Sequence, residues 1–206
     1  MNQLLVRGFL LLLVVQSSVA TASDYVIDTE GGHAYIQFRI SHLGFSWLSG
    51  RFNRFSGEFS YDVNEPNTAQ VKVDIDPASI DTNHAERDKH LRDEDFLDVD
   101  RFPSAGFVST AYRPTGEGVG VLEGELTLRG VTRPLEIRVR QVGSGTDPWG
   151  GYRMGFEGAA EITLADFGIT KFLGEAAKRM SFELGIEGIR KKSSNRPRRP
   201  GGLRIH

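Results

Sequence analysis

The 206-residue chain contains no cysteine. That excludes thiol catalysis, iron–sulfur clusters and cysteine-ligated zinc, and it leaves stability to packing and sheet closure instead of disulfides. Two hydrolase signatures are also missing. There is no Gly-x-Ser-x-Gly elbow to present a nucleophilic serine, and no His-Glu-x-x-His pair to hold a catalytic zinc. Long apolar runs are scarce: the run Gly8-Phe-Leu-Leu-Leu-Leu-Val-Val15 falls well short of the roughly 20 residues that cross a bilayer.

What that run does fit is a secretory signal. Arg7 precedes it and the small-residue site Ala20-Thr-Ala22 follows, so residues 1–22 are expected to be removed after Ala22. The other end is distinct too. Residues 190–206 hold seven bases and no acid, with Pro197, Pro200 and Gly201-Gly202, and are expected to form a disordered basic tail. Taking Arg7 and those seven bases from the 25 in the chain leaves 17 against 27 acids on residues 23–189, a net of −10. So acidic a body argues against nucleic acid as a partner, while the tail suits contact with an anionic membrane surface.

Between these ends the sequence alternates with period two. Ala34, Ile36, Phe38 and Ile40 share a parity, with His33, Tyr35, Gln37 and Arg39 opposite. After a segment expected to loop, Ser41 to Gly50, a second strand carries Phe55, Gly57, Phe59 and Tyr61. Phe52 has the other parity, which implies a bulge near Asn53-Arg54. Val71, Val73 and Ile75 mark a third strand, Ala105, Phe107, Ser109 and Ala111 a fourth, and Leu122 to Leu128 a fifth. Leu135, Ile137 and Val139 follow the tight turn Arg129-Gly130. Met154 to Ile162 and Met180 to Ile186 complete eight, with Phe167 and Phe172 placed over the core by the connection between the last two.

Eight strands with one apolar parity are better served by a closed antiparallel barrel than by an open sheet, because closure removes the unpaired edges. Glycines inside the strands supply the bends a barrel needs. A barrel of this size either fills its interior with side chains or holds one small ligand, and composition leaves both open.

The polar stretch Asp81 to Leu97 interrupts the pattern between strands 3 and 4. Asn83 as cap with Glu86 as its return partner predicts a short helix from about His84 to Arg92. His84 and Asp88 share a face, yet two ligands are too few for a catalytic zinc, so the patterning points to a solvated helix surface. Its charges are expected to face water, with Ala85, Leu91, Phe96 and Leu97 seating it as a lid over one end of the barrel.

Several blocks together resemble the YceI-like family of exported bacterial lipid-binding proteins, from about Asp24 to Ile189. They are Tyr25-Val-Ile-Asp28, Gly32-His-Ala34, Ser41-His-Leu-Gly-Phe-Ser-Trp47, Asp81 to Leu91, Phe102-Pro103 with Phe107, Gly124-Glu-Leu-Thr-Leu128, Gly130-Val-Thr-Arg-Pro134 and Asp147-Pro-Trp-Gly150. The resemblance implies an all-β fold, a lipocalin-like eight-stranded barrel at residues 23–189. It also implies a periplasmic location and an interior holding a polyisoprenoid chain such as a quinone tail, with no cofactor, metal or catalytic residue.

Contacts of that kind follow strand parity. The inner-face ligand-binding candidates are Phe38, Ile40, Phe45, Trp47, Phe59, Val73, Phe107, Leu126, Ile137, Val139, Trp149, Met154, Phe156, Phe182 and Leu184. Magnitudes favour a long ligand: a buried methylene contributes ~0.8 kcal/mol and association costs ~4–15 kcal/mol, so roughly ten methylenes are needed. Two other readings compete. One is an enzyme acting on a lipid head group at the barrel mouth through His42, His84, His90, Asp81 or Asp88. The other is a filled structural or interaction barrel.

Overall fold

The alternating parity seen in the sequence becomes a single antiparallel sheet in the computed structural model, which describes residues 22–171 and 174–192. Its strands are β1 (Ser23–Ile27), β2 (Tyr35–His42), β3 (Ser46–Phe52), β4 (Phe55–Tyr61), β5 (Gln70–Ile75) and β6 (Ile80–Asp81), then β7 (Ala105–Gly116), β8 (Val119–Leu128), β9 (Val131–Thr146), β10 (Tyr152–Thr163) and β11 (Arg179–Arg190). One helix, α1 (Ala85–Arg92), lies between β6 and β7.

Eleven strands nevertheless make eight staves. β1 and β2 both pair with β11, β1 at Gly188 to Arg190 and β2 at Met180 to Gly185, so they are two lengths of one stave. β3 and β4 continue each other in the same way beside them, and β6 extends β5. The β1–β11 pairing closes the ring, giving the eight-stranded antiparallel barrel expected from the alternation, with the helix between the third and fourth staves. The bulge anticipated at Asn53-Arg54 is the joint between β3 and β4.

Three expectations require correction. The segment Ser41 to Gly50 is not a loop but the heart of a β2–β3 hairpin, with Ile40 opposite Leu48 and Ser41 opposite Trp47. Its turn is only Leu43-Gly44, both at positive φ. On β7 a register shift between Ser109 and Ala111 turns Ala111 outward and Tyr112 inward, so Tyr112 is the buried residue. The expected start of the basic tail is also displaced: Arg190 ends β11, its guanidinium 3.8 Å over the Tyr152 ring, and Lys191 bonds Glu58. Residues 193–206 and Phe172 lie outside the described residues, as does most of the signal segment.

The rings that face inward lie flat against the wall because glycines on nearby strands make room for them. A Cβ at Gly188 would collide with the edge of the Phe59 ring, one at Gly124 with Phe107, and one at Gly50 with Phe38. Phe59 is further held by stacking on Tyr25, with centroids 4.7 Å apart, and by an edge contact with Phe156 at 5.6 Å. A Gly188→Ala substitution is therefore expected to lower stability by about 1–3 kcal/mol through overpacking, measured by urea unfolding; an unchanged midpoint would mean that Phe59 is free to move.

At one pole the barrel is stoppered by Phe96 and Leu97 from the segment after α1, and by Phe167 and Ile169 from the β10–β11 connection; all four are buried. The helix begins one residue later than its sequence suggested. His84 is the cap, its Nδ1 accepting from the Arg87 N–H at 3.2 Å, while Asn83 sits at φ +59° with its N–H given to Asp81. Nor do all its charges face water. Asp88 is buried and accepts from the Thr82 N–H at 2.9 Å, Arg87 donates to the Thr82 hydroxyl and carbonyl, and Arg92 donates to the carbonyls of Ala78 and Ile80. Three charged side chains thus fasten the helix to the rim, with Leu91 half-buried and Ala85 exposed.

Candidate functional site

Inward parity on all eight staves produces a continuous apolar interior, and it is not completely filled. A cavity of about 150 Å³ lies between the poles, bounded by residues from Ile75, Ala105, Leu128 and Ala160 near the α1 pole to Tyr61, Ala69, Tyr112 and Ile186 near the other. No polar atom contributes to its surface. The inward rings leave this space because they lie over glycines: a Cβ at Gly188 or Gly124 would meet Phe59 or Phe107.

Of the parity-based candidates, Phe59, Val73, Phe107, Leu126, Ile137, Val139, Phe156, Phe182 and Leu184 lie on this wall. Phe38 and Met154 are buried and Ile40 half-buried, all three in the core without bordering the cavity. Phe45, Trp47 and Trp149 do not face inward: they are 88%, 61% and 81% exposed. Phe45 and Trp47 flank the tip of a hairpin that sequence reasoning took for a rim loop, and Trp149 stands on the β9–β10 turn with Arg153 packed against its ring at 5.7 Å. The wall also includes Ile36, Leu122, Leu135 and Ile186, which share the inner parity of the expected strands, and Phe52 and Tyr112, which needed β3 and the β7 bulge.

The two phenols at the cavity's edge, Tyr61 and Tyr112, are buried, and burial is the main cause that raises both pKa values; Asp62 adds to the effect on Tyr61, and Tyr61 to that on Tyr112. Both stay neutral across the physiological range.

The strongest electrostatics sit outside the cavity, at the pole opposite α1. Arg153 donates to Asp28 at 2.6 Å, to Asp147 at 2.7 Å and to Glu187, joining the β1–β2 joint to the β9–β10 turn. The Arg153 hydrogen bond, then those of His33 and the Gly31 N–H, lower the Asp28 pKa to about 2. Arg153 lowers Asp147 likewise and is itself raised by its three acids. Asp28, His33 and Glu187 present ligand-type atoms within 4.8 Å of one another, but the guanidinium of Arg153 already bonds both carboxylates. The arrangement is a clasp.

Apart from His42, exposed at the end of β2, the residues considered for head-group chemistry are scattered over structural tasks. Asp81 accepts from Asn83 and Asn53, hydrogen bonds that lower its pKa, and Asp88 and His84 hold the helix as described. His90 packs edge-on against Phe96 at 4.9 Å beside Asp93 and Asp95, and Lys171 bonds Asp95.

A YceI-like domain matches residues 25–187, nearly the whole described barrel. The chain belongs to the YceI-like family. Among curated relatives, a UPF0312 protein of Ectopseudomonas mendocina is 53% identical over 171 residues, covering 83% of this chain and 90% of that protein. Among solved structures, Burkholderia cenocepacia BcnA superposes with a TM-score of 0.69 at 21% identity, over 78% of this chain and 98% of that one. A polyisoprenoid binding domain from Saccharophagus degradans, implicated in plant cell wall breakdown, does so with a TM-score of 0.60 at 15% identity, over 81% and 98%. At these two identities the likeness is one of fold. The YceI-like barrel of this chain shares with them its closed antiparallel architecture.

Proposed function

We propose that this YceI-like protein binds a long-chain apolar lipid, of polyisoprenoid or quinone-tail type, inside the barrel and carries it in the periplasm without chemical change. The observation that carries this reading is the cavity: an interior whose surface has no polar atom, lined by residues from both ends of the barrel, offers a hydrocarbon chain burial and offers a polar ligand nothing. Membership of the family supports it, as does the fold shared with a polyisoprenoid binding domain. The head group, having no polar partner within, stays at an end. The stopper formed by α1 and Phe96-Leu97 suits the opposite role, closing the tunnel against water.

The protein purified from its cells is expected to release a long-chain lipid, close to one per barrel, into an organic solvent extract read by mass spectrometry. An empty extract, together with no uptake of an added long-tailed quinone, would overturn the reading and leave a structural or interaction barrel.

A further inference from the structure

The tip of the β2–β3 hairpin gathers three exposed large apolar side chains. Leu43, Phe45 and Trp47 are 55%, 88% and 61% exposed within five residues. The turn between the strands has positive φ at both central residues, 53° at Leu43 and 81° at Gly44, and is closed by the Phe45 N–H donating to the His42 carbonyl at 2.9 Å. Such turns favour Asn or Gly at the first central position, and a bulky apolar residue there is strained. This chain places a leucine at that position with more than half of its side chain exposed and its Cδ2 beside Gly174, so the turn itself does not account for the choice. Beside the tip, the guanidinium of Arg39 lies 4.8 Å from the centre of the Trp47 ring, and no carboxylate among the described residues lies within ion-pair distance of it.

We infer that this hairpin tip is a docking finger that inserts into the interfacial region of a lipid bilayer. Aromatic rings accompanied by an arginine are the side chains that settle at the level of lipid head groups. The available area argues against a second copy of the chain as occupant. The three side chains expose roughly 400 Å² together, given 150–250 Å² for a whole aromatic side chain. A stable protein interface buries about 800 Å² on each partner. An exposed apolar tip needs no matching surface to enter a bilayer. Because residues 23–189 carry a net charge of −10, attraction to anionic lipid is not what would hold the body at a membrane; apolar insertion is. The inference stands on the exposed hairpin and not on the cavity, so it survives or fails independently of the lipid-carrier reading.

The test is flotation of the full chain with vesicles of phosphatidylethanolamine and phosphatidylglycerol, using Trp149→Phe so that Trp47 alone reports by fluorescence. Binding is expected with a blue shift of Trp47, undiminished in 0.5 M salt, and weakened at least tenfold by Phe45→Ser but hardly by Phe45→Leu. Phe45 is so exposed that circular dichroism of the serine variant should match the parent. Binding abolished by salt would assign membrane contact to the basic residues beyond Arg190 and overturn the inference. So would the absence of vesicle binding, or a concentration-dependent dimer that Phe45→Ser dissolves.

Discussion

Replacing Ala160 with phenylalanine is expected to lower the affinity for a long-chain lipid about a thousandfold while the barrel stays folded. Ala160 is buried on the cavity wall, paired across the ladder with Phe182, and its small side chain leaves open the lumen beyond it. A ring built there displaces about five methylenes of ligand. At ~0.8 kcal/mol each that is about 4 kcal/mol, or roughly three decades in Kd. The ring enters space already present, so the penalty of overpacking a filled core does not arise in full. Ala159 supplies the control, since one step along a strand reverses the direction of the side chain. It lies on the outer depression between Tyr35 and Val121, where a phenylalanine should leave affinity within about twofold. Loading of both variants with a long-tailed quinone, measured by displacement titration, decides the matter. Equal loading of Ala160→Phe and the parent would place the ligand elsewhere.

Acid is expected to remove on the order of 2 kcal/mol of stability through Asp28 alone, between pH about 4 and about 2. The native carboxyl has a pKa of about 2 against the ordinary 3.8, so as pH falls the unfolded chain takes up the proton first. The contribution is complete above pH 4, is lost through that window, and is gone below it. Asp28 is buried beneath Arg153, which makes the linkage sensitive to this one group despite the other acids of the clasp. Urea unfolding across pH 2 to 6 should show a shallower acid limb for Asp28→Asn and a lower plateau at neutral pH. Parallel limbs would show that the acid response arises in other carboxylates.

The barrel was legible in the sequence because burial on one face writes itself as period-two alternation, and eight staves could be counted from the inner residues of β2, β4, β5 and β7 to β11. What escaped were places where alternation is broken or brief. β1 has only five residues, and β3 alternates in burial while its residue types do not, with Trp47 outward and Gly50 inward. The β7 bulge flips parity without a residue type that announces it, which exchanged Ala111 for Tyr112.

Aromatic residues misled in the candidate site for a different reason. Phe45 and Trp149 lie in turns, where no parity constrains them, and Trp47 lies on the outward parity of β3, a strand the sequence reading takes for a loop. The polar contacts of the helix were equally hidden. A buried Asp88 is explained by Thr82, six residues away, whose N–H and hydroxyl both reach it only after the rim has folded back on itself. Pairings such as Arg153 with Asp28, 125 positions apart, leave no local trace at all.

The joints at 28–34, 53–54 and 76–79 fall in three neighbouring staves, whereas β7 to β11 carry none that divides a strand in two. Mechanically the wall is therefore unequal: a stiff half-shell of five long strands faces an articulated one whose upper and lower plates meet at hinges. Strain placed on the barrel by a guest wider than its bore would be taken up on the articulated side, by tilting the plates, before any ladder of the half-shell has to part.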